Sequence, residues 1–410
     1  MNEFLKMSFV GDIMCEKPLL KASKTKAGYC YTGVFKYIKN KFSKSDVVIG
    51  NLETVFAGKD AKYTSELYSF NTPDSFLEEL AAAGVTHVTV ANNHCLDRDV
   101  DGLNRTLDLL DEFGIEHFGA YRSIEEKNKL ELIKCGDKSI GIVNYTYGTN
   151  VMENGIIFTE KDDFRVNILK DQTNELNKFN KSLQINTLRA KVALFMRNFT
   201  NLEQRMKVKR FLGILHNRPV IDHFKPEEVY EPYISKMLAD VERAKENADC
   251  VIACIHCGGL FNETVGGYTE YIVNLLKETG VDAIVGNHPH IVQKAELGND
   301  KCKFVAYSLG NFSISPSSVY VIKDNLPEYS IMLHFYFSKE TADIEKISFS
   351  ILKIVEDKKG NLTIYPVEDL YDILDAAAKH QLIQDCTFIY NTFNQKKEKF
   401  INIEAEYFII

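Results

Sequence analysis

The sequence predicts an α/β protein, and three observations carry that prediction. Short β-branched, apolar runs recur along the chain. Each is followed at once by a small polar cluster. Amphipathic helical patterns separate several of the runs. Strands alternating with helices build a largely parallel sheet, because a parallel neighbour needs a crossover long enough for a helix.

The runs are residues 7–12, 46–53, 85–94, 249–259, 281–290 and 304–312. All are strand length and too short for a globular helix. Among the helices, Thr72 is placed to cap, Pro73 to open and Gly84 to stop one. A second spans 99–113, with Leu103, Leu107 and Leu110 on one face. A third runs from 226 to 247 with Val229, Ile234, Leu238 and Val241, and a fourth from 268 to 279 with Ile272, Leu275 and Leu276. In such sheets ligands sit beyond the carboxyl ends of the strands, where these polar clusters lie.

A chain of 410 residues, 45% hydrophobic, can bury a sizeable core without disulfides. Its net charge of -8 argues against nonspecific nucleic-acid binding. The opening residues show no secretory h-region, and no apolar run is long enough to span a membrane. The nine cysteines are odd in number and lie singly in apolar segments, which predicts reduced thiols and a cytoplasmic location. Cys254 and Cys257 have C-x-x-C spacing, but they sit in a strand-like run rather than opening a helix.

Residues 1–356 read as one domain, interrupted at about 150–225 by a mainly helical, basic insertion; 357–410 read as a strand–helix extension packed on the core. Helical stretches are expected at 188–199 and 202–215. Arg189, Lys191, Arg197, Arg205, Lys207, Lys209, Arg210 and Arg218 suit either contact with a polyanion (or a lid) or a solvated helical pair.

The residues that carry chemistry are Asp12, Glu53, Asn93, His94, His256, His288 and His290, each directly after a strand-like run. Taken singly, Asp12 and the asparagines suit turns, and His256 suits a satisfied core histidine. Together they offer the imidazole, carboxylate and amide donors that Mn, Fe or Zn favour. His288 and His290, at H-x-H spacing, point to the same side if their segment is extended. Asp97 could orient the ring of His94 or cap the next helix.

In this order, Gly11-Asp12-Ile13-Met14, Gly50-Asn51-Leu52-Glu53, Asn92-Asn93-His94 with Asp97, His256-Cys257-Gly258, Gly286-Asn287-His288-Pro289-His290 and the 307–312 run resemble the CapA family. That family comprises bacterial capsule-synthesis proteins associated with poly-γ-glutamate, a branch of the calcineurin-like metallophosphatases. The resemblance implies a metallophosphatase-like four-layer α/β/β/α sandwich with a helical insertion, and one or two divalent metal ions. Asp12 would be a first-site ligand and Glu53 a bridging one. Asn93 and His256 would bind the second metal, and His288 and His290 would divide between the two. His94 would be the acid near the leaving group, with Asp97 behind it. Water activated by metal would attack a phosphoester or a γ-glutamyl centre. The rivals are a low-turnover binding component that joins capsule-synthesis partners, and a cytoplasmic nucleotide phosphoesterase. Met14 stands where the wider superfamily has His, and Cys257 and Leu260 stand where CapA proteins have Trp and Glu.

Overall fold

Strand β1 (Phe4–Ile13) sets the architecture. Leu5, Met7 and Phe9 face one core while Val10 and Ile13 face another, as the two-residue period of a strand requires. That parity breaks once. Val10 pairs with Gly50 and Asp12 with Asn51, so Gly11 is an extra residue in the ladder. A bulge of this kind turns every later side chain to the opposite face. Asp12 is thereby directed to the same side as Phe9. Only glycine fits at the bulge, since a Cβ on Gly11 would lie 1.9 Å from the carbonyl oxygen of Gly310.

The computed structural model describes residues 3–130, 132–173, 177, 202–211, 218–298 and 302–410. After β1 come β2 (Val47–Leu52), α1 (Asp74–Ala83), β3 (His87–Thr89), α2 (Asp99–Glu112), β4 (Glu116–Phe118), β5 (Leu132–Cys135) and β6 (Lys138–Thr146). Next are α3 (Leu202–Phe211), α4 (Glu231–Asn247), β7 (Cys250–His256), α5 (Gly267–Thr279), β8 (Ala283–Asn287), β9 (Ala295–Leu297), β10 (Phe304–Ala306) and β11 (Asn311–Ser313). The described chain closes with β12 (Tyr329–Ser338), β13 (Ile344–Glu356), β14 (Leu362–Pro366), α6 (Val367–Ile373), α7 (Ala376–Asn394) and β15 (Tyr407–Phe408).

These strands make two principal sheets, not the one largely parallel sheet that periodicity predicts. The first has the order β14-β13-β12-β1-β2-β3-β4, with β11 on β1 and β15 on β13. Its β1–β4 half is parallel and its β12–β14 half antiparallel. The second has the order β9-β10-β8-β7-β6-β5, parallel except at both edges. The sheets face each other across a core that includes Met7, Phe9, Ile252, Val285 and Phe335. Phe9 meets Phe335 edge-on at 5.7 Å, and each such ring buried contributes about 1.5–3 kcal/mol. Helices α1 and α2 cover the outer face of the first sheet, and α4 and α5 that of the second. The result is the expected four-layer α/β/β/α sandwich.

Element ends differ from expectation in instructive ways. Thr72 does not cap α1, because its hydroxyl pairs with that of Thr54 at 2.7 Å; extended Pro73 takes the cap position and Gly84, at φ +111°, stops the helix. The pattern that begins at Pro226 is a 3-10 turn, and α4 starts only at Glu231, with a proline in its first turn. The expected C-terminal helix is two helices, because Asp375 caps a new one by accepting from the amide of Ala378. Of the two expected insertion helices, 188–199 lies outside the described residues, and the second is helical over Leu202–Phe211. Among the described residues no helix is long and apolar enough to cross a membrane.

Candidate metal centre

The carboxyl ends of both sheets converge. From the first come Asp12 at the end of β1, Glu53 after β2, and Asn93 and His94 after β3. From the second come His256, the last residue of β7, and His288 and His290 after β8. Asn51 joins the two groups: its amide donates to Asp12 Oδ1 at 2.8 Å and lies 3.1 Å from His256 Nδ1. Asp12 Oδ2 is 3.1 Å from His290 Nδ1 and accepts from the backbone N–H of His288 at 3.3 Å. His256 Nε2 lies 2.7 Å from Asn93 Oδ1 and 3.0 Å from His288 Nδ1.

The two histidines around Pro289 do not converge through an extended segment. His288 has φ +103° and His290 φ +59°, conformations that non-glycine residues seldom adopt. Such backbone costs about 1–3 kcal/mol per residue and persists where the surroundings enforce it. Here Pro289 packs under Gly258, where a Cβ would lie 2.8 Å from the proline ring, and its carbonyl accepts from the amide of Phe261.

Glu53 is fully buried, and neither of its carboxylate oxygens has a hydrogen-bond partner. Three imidazoles surround it instead: His256 Nε2 at 3.5 Å, His290 Nε2 at 3.8 Å and His94 Nε2 at 4.0 Å, all to Oε1. The ligand atoms of Glu53, His256 and His288 lie within 4.8 Å of one another, and so do those of Asp12, Glu53 and His290. Two candidate triads thus share one carboxylate. Electrostatics follow the same pattern. Burial opposes charge on His290, yet Glu53 and Asp12 beside it raise its pKa to about 9. Burial likewise opposes charge on Glu53, but His290 and His256 hold its carboxyl below the ordinary value. Burial and the neighbouring His256 and His290 drive His288 well below the usual imidazole range, leaving it a neutral donor. An orphaned buried carboxylate among mixed N and O donors fits a divalent cation.

His94 occupies the outer side of the cluster. Its Nδ1 lies 2.7 Å from Asp97 Oδ2, and its ring packs on Phe70 with centroids 4.3 Å apart. Asp97 caps no helix; α2 starts after Arg98, and the same Asp97 oxygen accepts from the amide of Phe70 at 2.6 Å. Burial works against the imidazolium, but Asp97 prevails and raises the pKa of His94. His94 also faces Asn150, whose amide lies 3.3 Å from Nε2. Both border a cleft of about 350 Å³ lined further by Met14, Phe70, Tyr147, His288 and Tyr320. This arrangement can position an anion between a proton donor and a cation-binding cluster.

Known proteins supply the family. The family model described as Bacterial capsule synthesis protein PGA_cap matches residues 6–316. The chain belongs to this family. It is 25% identical over 313 residues, 76% of its own length and 63% of the relative's, to the PGA biosynthesis protein CapA of Bacillus subtilis (strain 168). It is 22% identical over 315 residues, 76% of its length and 60% of the other's, to the capsule biosynthesis protein CapA of Bacillus anthracis. The chain therefore spans about three-fifths of the length of these curated relatives. Among solved structures, a hypothetical protein from Thermus thermophilus aligns with a TM-score of 0.38 and 14% identity, over 88% of this chain and 98% of that one. That likeness is slight.

Within this PGA_cap chain, sequence reasoning passes over several residues that shape the cleft. Asn51 is the main one, and its signal is its place two residues before Glu53. Asn144 accepts from the amide of Ala91 at 2.8 Å and so pins the loop that carries Asn93 and His94. Asn150 follows β6 by four residues, as Asn93 follows β3, so the strand-like run before it is its signal; Tyr320 approaches from far along the chain without such a mark. Asn311 is not among those passed over, since with Gly310 its place in the 307–312 run suits either lining the site or a tight turn; it accepts at 3.0 Å from His290 and donates to its carbonyl, and so orients a cluster residue.

Proposed function

We propose that this chain is a metal-dependent hydrolase of capsule biosynthesis, acting on a phosphoester or a γ-glutamyl bond. The observation that carries the reading is Glu53, a fully buried carboxylate without a hydrogen-bond partner, shared between two clusters of candidate ligands. Asp12, Glu53 and His290 would hold one ion, and Glu53, His256, His288 and Asn93 a second; Mn, Fe and Zn all suit this donor set. Divalent metal supplies Lewis acidity there, neutralising charge on reacting oxygens and acidifying water. His94 delivers a proton from Nε2 to the departing atom, the oxygen of a phosphoester or the nitrogen of a γ-glutamyl amide, while Asp97 holds Nδ1 and the ring plane. Asn51 keeps Asp12 and His256 in register, and Asn150 steadies the donor ring. The anionic substrate enters the cleft between Tyr147 and Tyr320. The core domain would be 1–356 with the 150–225 insertion, and 357–410 its extension. Buried thiols such as Cys15, Cys95, Cys254 and Cys257, none of them in a disulfide, suit a reducing compartment.

Metal analysis of the purified protein, with Mn-supported hydrolysis of an aryl phosphate, tests this reading. Bound metal should fall to background in the variant carrying both His288→Ala and His290→Ala, and turnover with it. Unchanged metal content in that variant refutes the proposal.

A second reading rests on Met14, which lines the cleft and offers a thioether in place of an imidazole. A weaker first site would leave a metal-bearing binding or assembly component with little turnover, working beside other capsule-synthesis proteins. Brisk turnover that disappears in His94→Ala, with metal retained, excludes it.

A further inference from the structure

Residues 166–172 fold back beside the end of β6. Thr146 donates from its amide to the carbonyl of Asn167 and accepts from the amide of Leu169. Beyond that bridge the side chain of Gln172 takes hold of Thr149. Its Oε1 accepts from both the amide and the hydroxyl of Thr149 at 3.1 Å, and its Nε2 donates to the Thr149 carbonyl at 2.6 Å. Both residues are buried. Gly148 leaves the room this needs, since a Cβ there would lie 2.9 Å from Gln172 Nε2. A carboxamide that satisfies both backbone groups of one residue fixes where the next begins. The next is Asn150.

Its backbone amide donates to the carbonyl of Asn93 at 2.8 Å. The direction of its side chain follows from a relay of hydrogen bonds. Asn51 donates from Nδ2 to Asp12 Oδ1, a carboxylate oxygen that can only accept, and to His256 Nδ1. The proton of His256 is then on Nε2, so the Asn93 atom facing it at 2.7 Å is Oδ1. Asn93 Nδ2 is left to donate to Asn150 Oδ1 at 3.1 Å. Asn150 Nδ2 is therefore the atom beside His94, 3.2 Å from Nδ1 and 3.3 Å from Nε2. An atom so nearly equidistant from both ring nitrogens lies over the ring face, away from the in-plane direction in which either could accept. His94 Nδ1 is in any case committed to Asp97. The N–H groups of Asn150 thus have no in-plane acceptor in the imidazole, on a residue that lines the cleft between the proton donor and the metal cluster.

We propose that Asn150 is a substrate contact of the cleft, donating from Nδ2 to an oxygen of the phosphoryl or γ-glutamyl group under attack, and that Gln172 is the positioning residue that holds it there. It rests on the reading of the cleft as a hydrolase site and adds to it a residue outside the strand-end pattern. A fixed N–H aimed at an oxygen where negative charge develops stabilises that charge without reorienting. Being uncharged, a carboxamide does so without the desolvation cost of another buried ion.

The test uses the Mn-loaded, full-length chain and two measurements. One is calorimetric binding of inorganic phosphate and of a γ-linked glutamate pentamer; the other is turnover of an aryl phosphate. The parent should bind at least one probe, and the one it binds tells phosphoryl from γ-glutamyl recognition. Asn150→Ala should weaken that binding about tenfold and lower kcat about a hundredfold, with bound Mn unchanged. Gln172→Met keeps the bulk beside Gly148 but removes the bonds to Thr149, and should lower both by about threefold to tenfold. In the Asn150→Ala background it should have no further effect, because it acts through Asn150. Thr173→Ala, an exposed change one residue along, should alter either quantity by less than about twofold. If Asn150→Ala melts early, the isosteric Asn150→Asp carries the comparison, since it keeps the acceptor for Asn93 and removes the donor. Binding and turnover that survive loss of Asn150 overturn the proposal. So do effects of Gln172→Met that simply add to those of Asn150→Ala, binding of neither probe by the parent, and loss of Mn from Asn150→Ala, which would make Asn150 a support for Asn93 instead. Absence of aryl phosphate turnover with Asn150-dependent probe binding intact would sink the hydrolase reading alone.

Discussion

Replacing Glu53 by Gln separates the two contributions its carboxylate makes. The side chain is fully buried, and its nearest strongly cationic neighbour is His290, at 3.8 Å. At an effective dielectric constant of about 20, unit charges roughly 4 Å apart attract by about 4 kcal/mol. Desolvating a carboxylate costs several kcal/mol, so the two effects nearly cancel in metal-free protein. Glu53→Gln should therefore move metal-free stability by no more than about 1–2 kcal/mol in either direction. With Mn at about a hundred times its Kd, the parent gains about 2.7 kcal/mol for one site. For a chain of this size that is a rise in Tm of roughly 3–5 °C. The variant lacks the one group common to both triads and should show a rise of less than about 1 °C. Scanning calorimetry after chelation, with and without Mn, measures both quantities. An Mn response in Glu53→Gln equal to the parent's would show that Glu53 is not the shared ligand.

Other expectations follow from the same geometry. His94→Ala should lower kcat about a hundredfold or more while metal content holds. Asp97→Asn should lower the pKa of His94 and move the alkaline limb of the pH–rate profile to lower pH, read by steady-state kinetics across pH. Glu406 is pushed up by burial but drawn down more strongly by His334, Lys6, Ser348 and Tyr336, from 4.5 to about 2. Its stabilising contribution is thus complete above about pH 4.5 and lost as pH falls toward 2. Glu406→Gln should cost about 1 kcal/mol at pH 7, allowing for partial exposure, and flatten the acid side of the stability profile in urea melts. Gly11→Ala should cost about 1–3 kcal/mol and weaken metal binding with it, since the new methyl meets backbone rather than a movable side chain.

The cluster is legible in the sequence because each of its members lies at the carboxyl end of a strand or within a few residues of it, where the chain must leave the sheet. What the sequence conceals is that these ends belong to two sheets. Strands β12 and β13 are buried on both faces along most of their length, and the polar residues that follow them form turns away from the cluster, so they carry none of its signal. Without them, nothing signals the antiparallel half of the first sheet or the core between the sheets. The bulge at Gly11 is equally hidden, since one glycine before an aspartate reads as a turn; its effect appears only in the register against β2. The histidine pair stands out in the sequence for a reason that the structure corrects. Their spacing suggests an extended segment, whereas a loop of positive φ held by Gly258 and Phe261 brings them together.

The separation of Asp12 from His290 along the chain bears on when this protein matures. The first lies in β1, and the second follows β8 by three residues. At translation rates of about 5–20 residues per second, roughly 15–55 s pass on the ribosome between one and the other. During that interval the flank of β1 that will meet β12 has no partner, since its ladder to Tyr329–Ser338 does not yet exist. An unsatisfied strand edge in a nascent chain invites chaperone attention. The full set of candidate donors can therefore assemble only once the chain has passed His290.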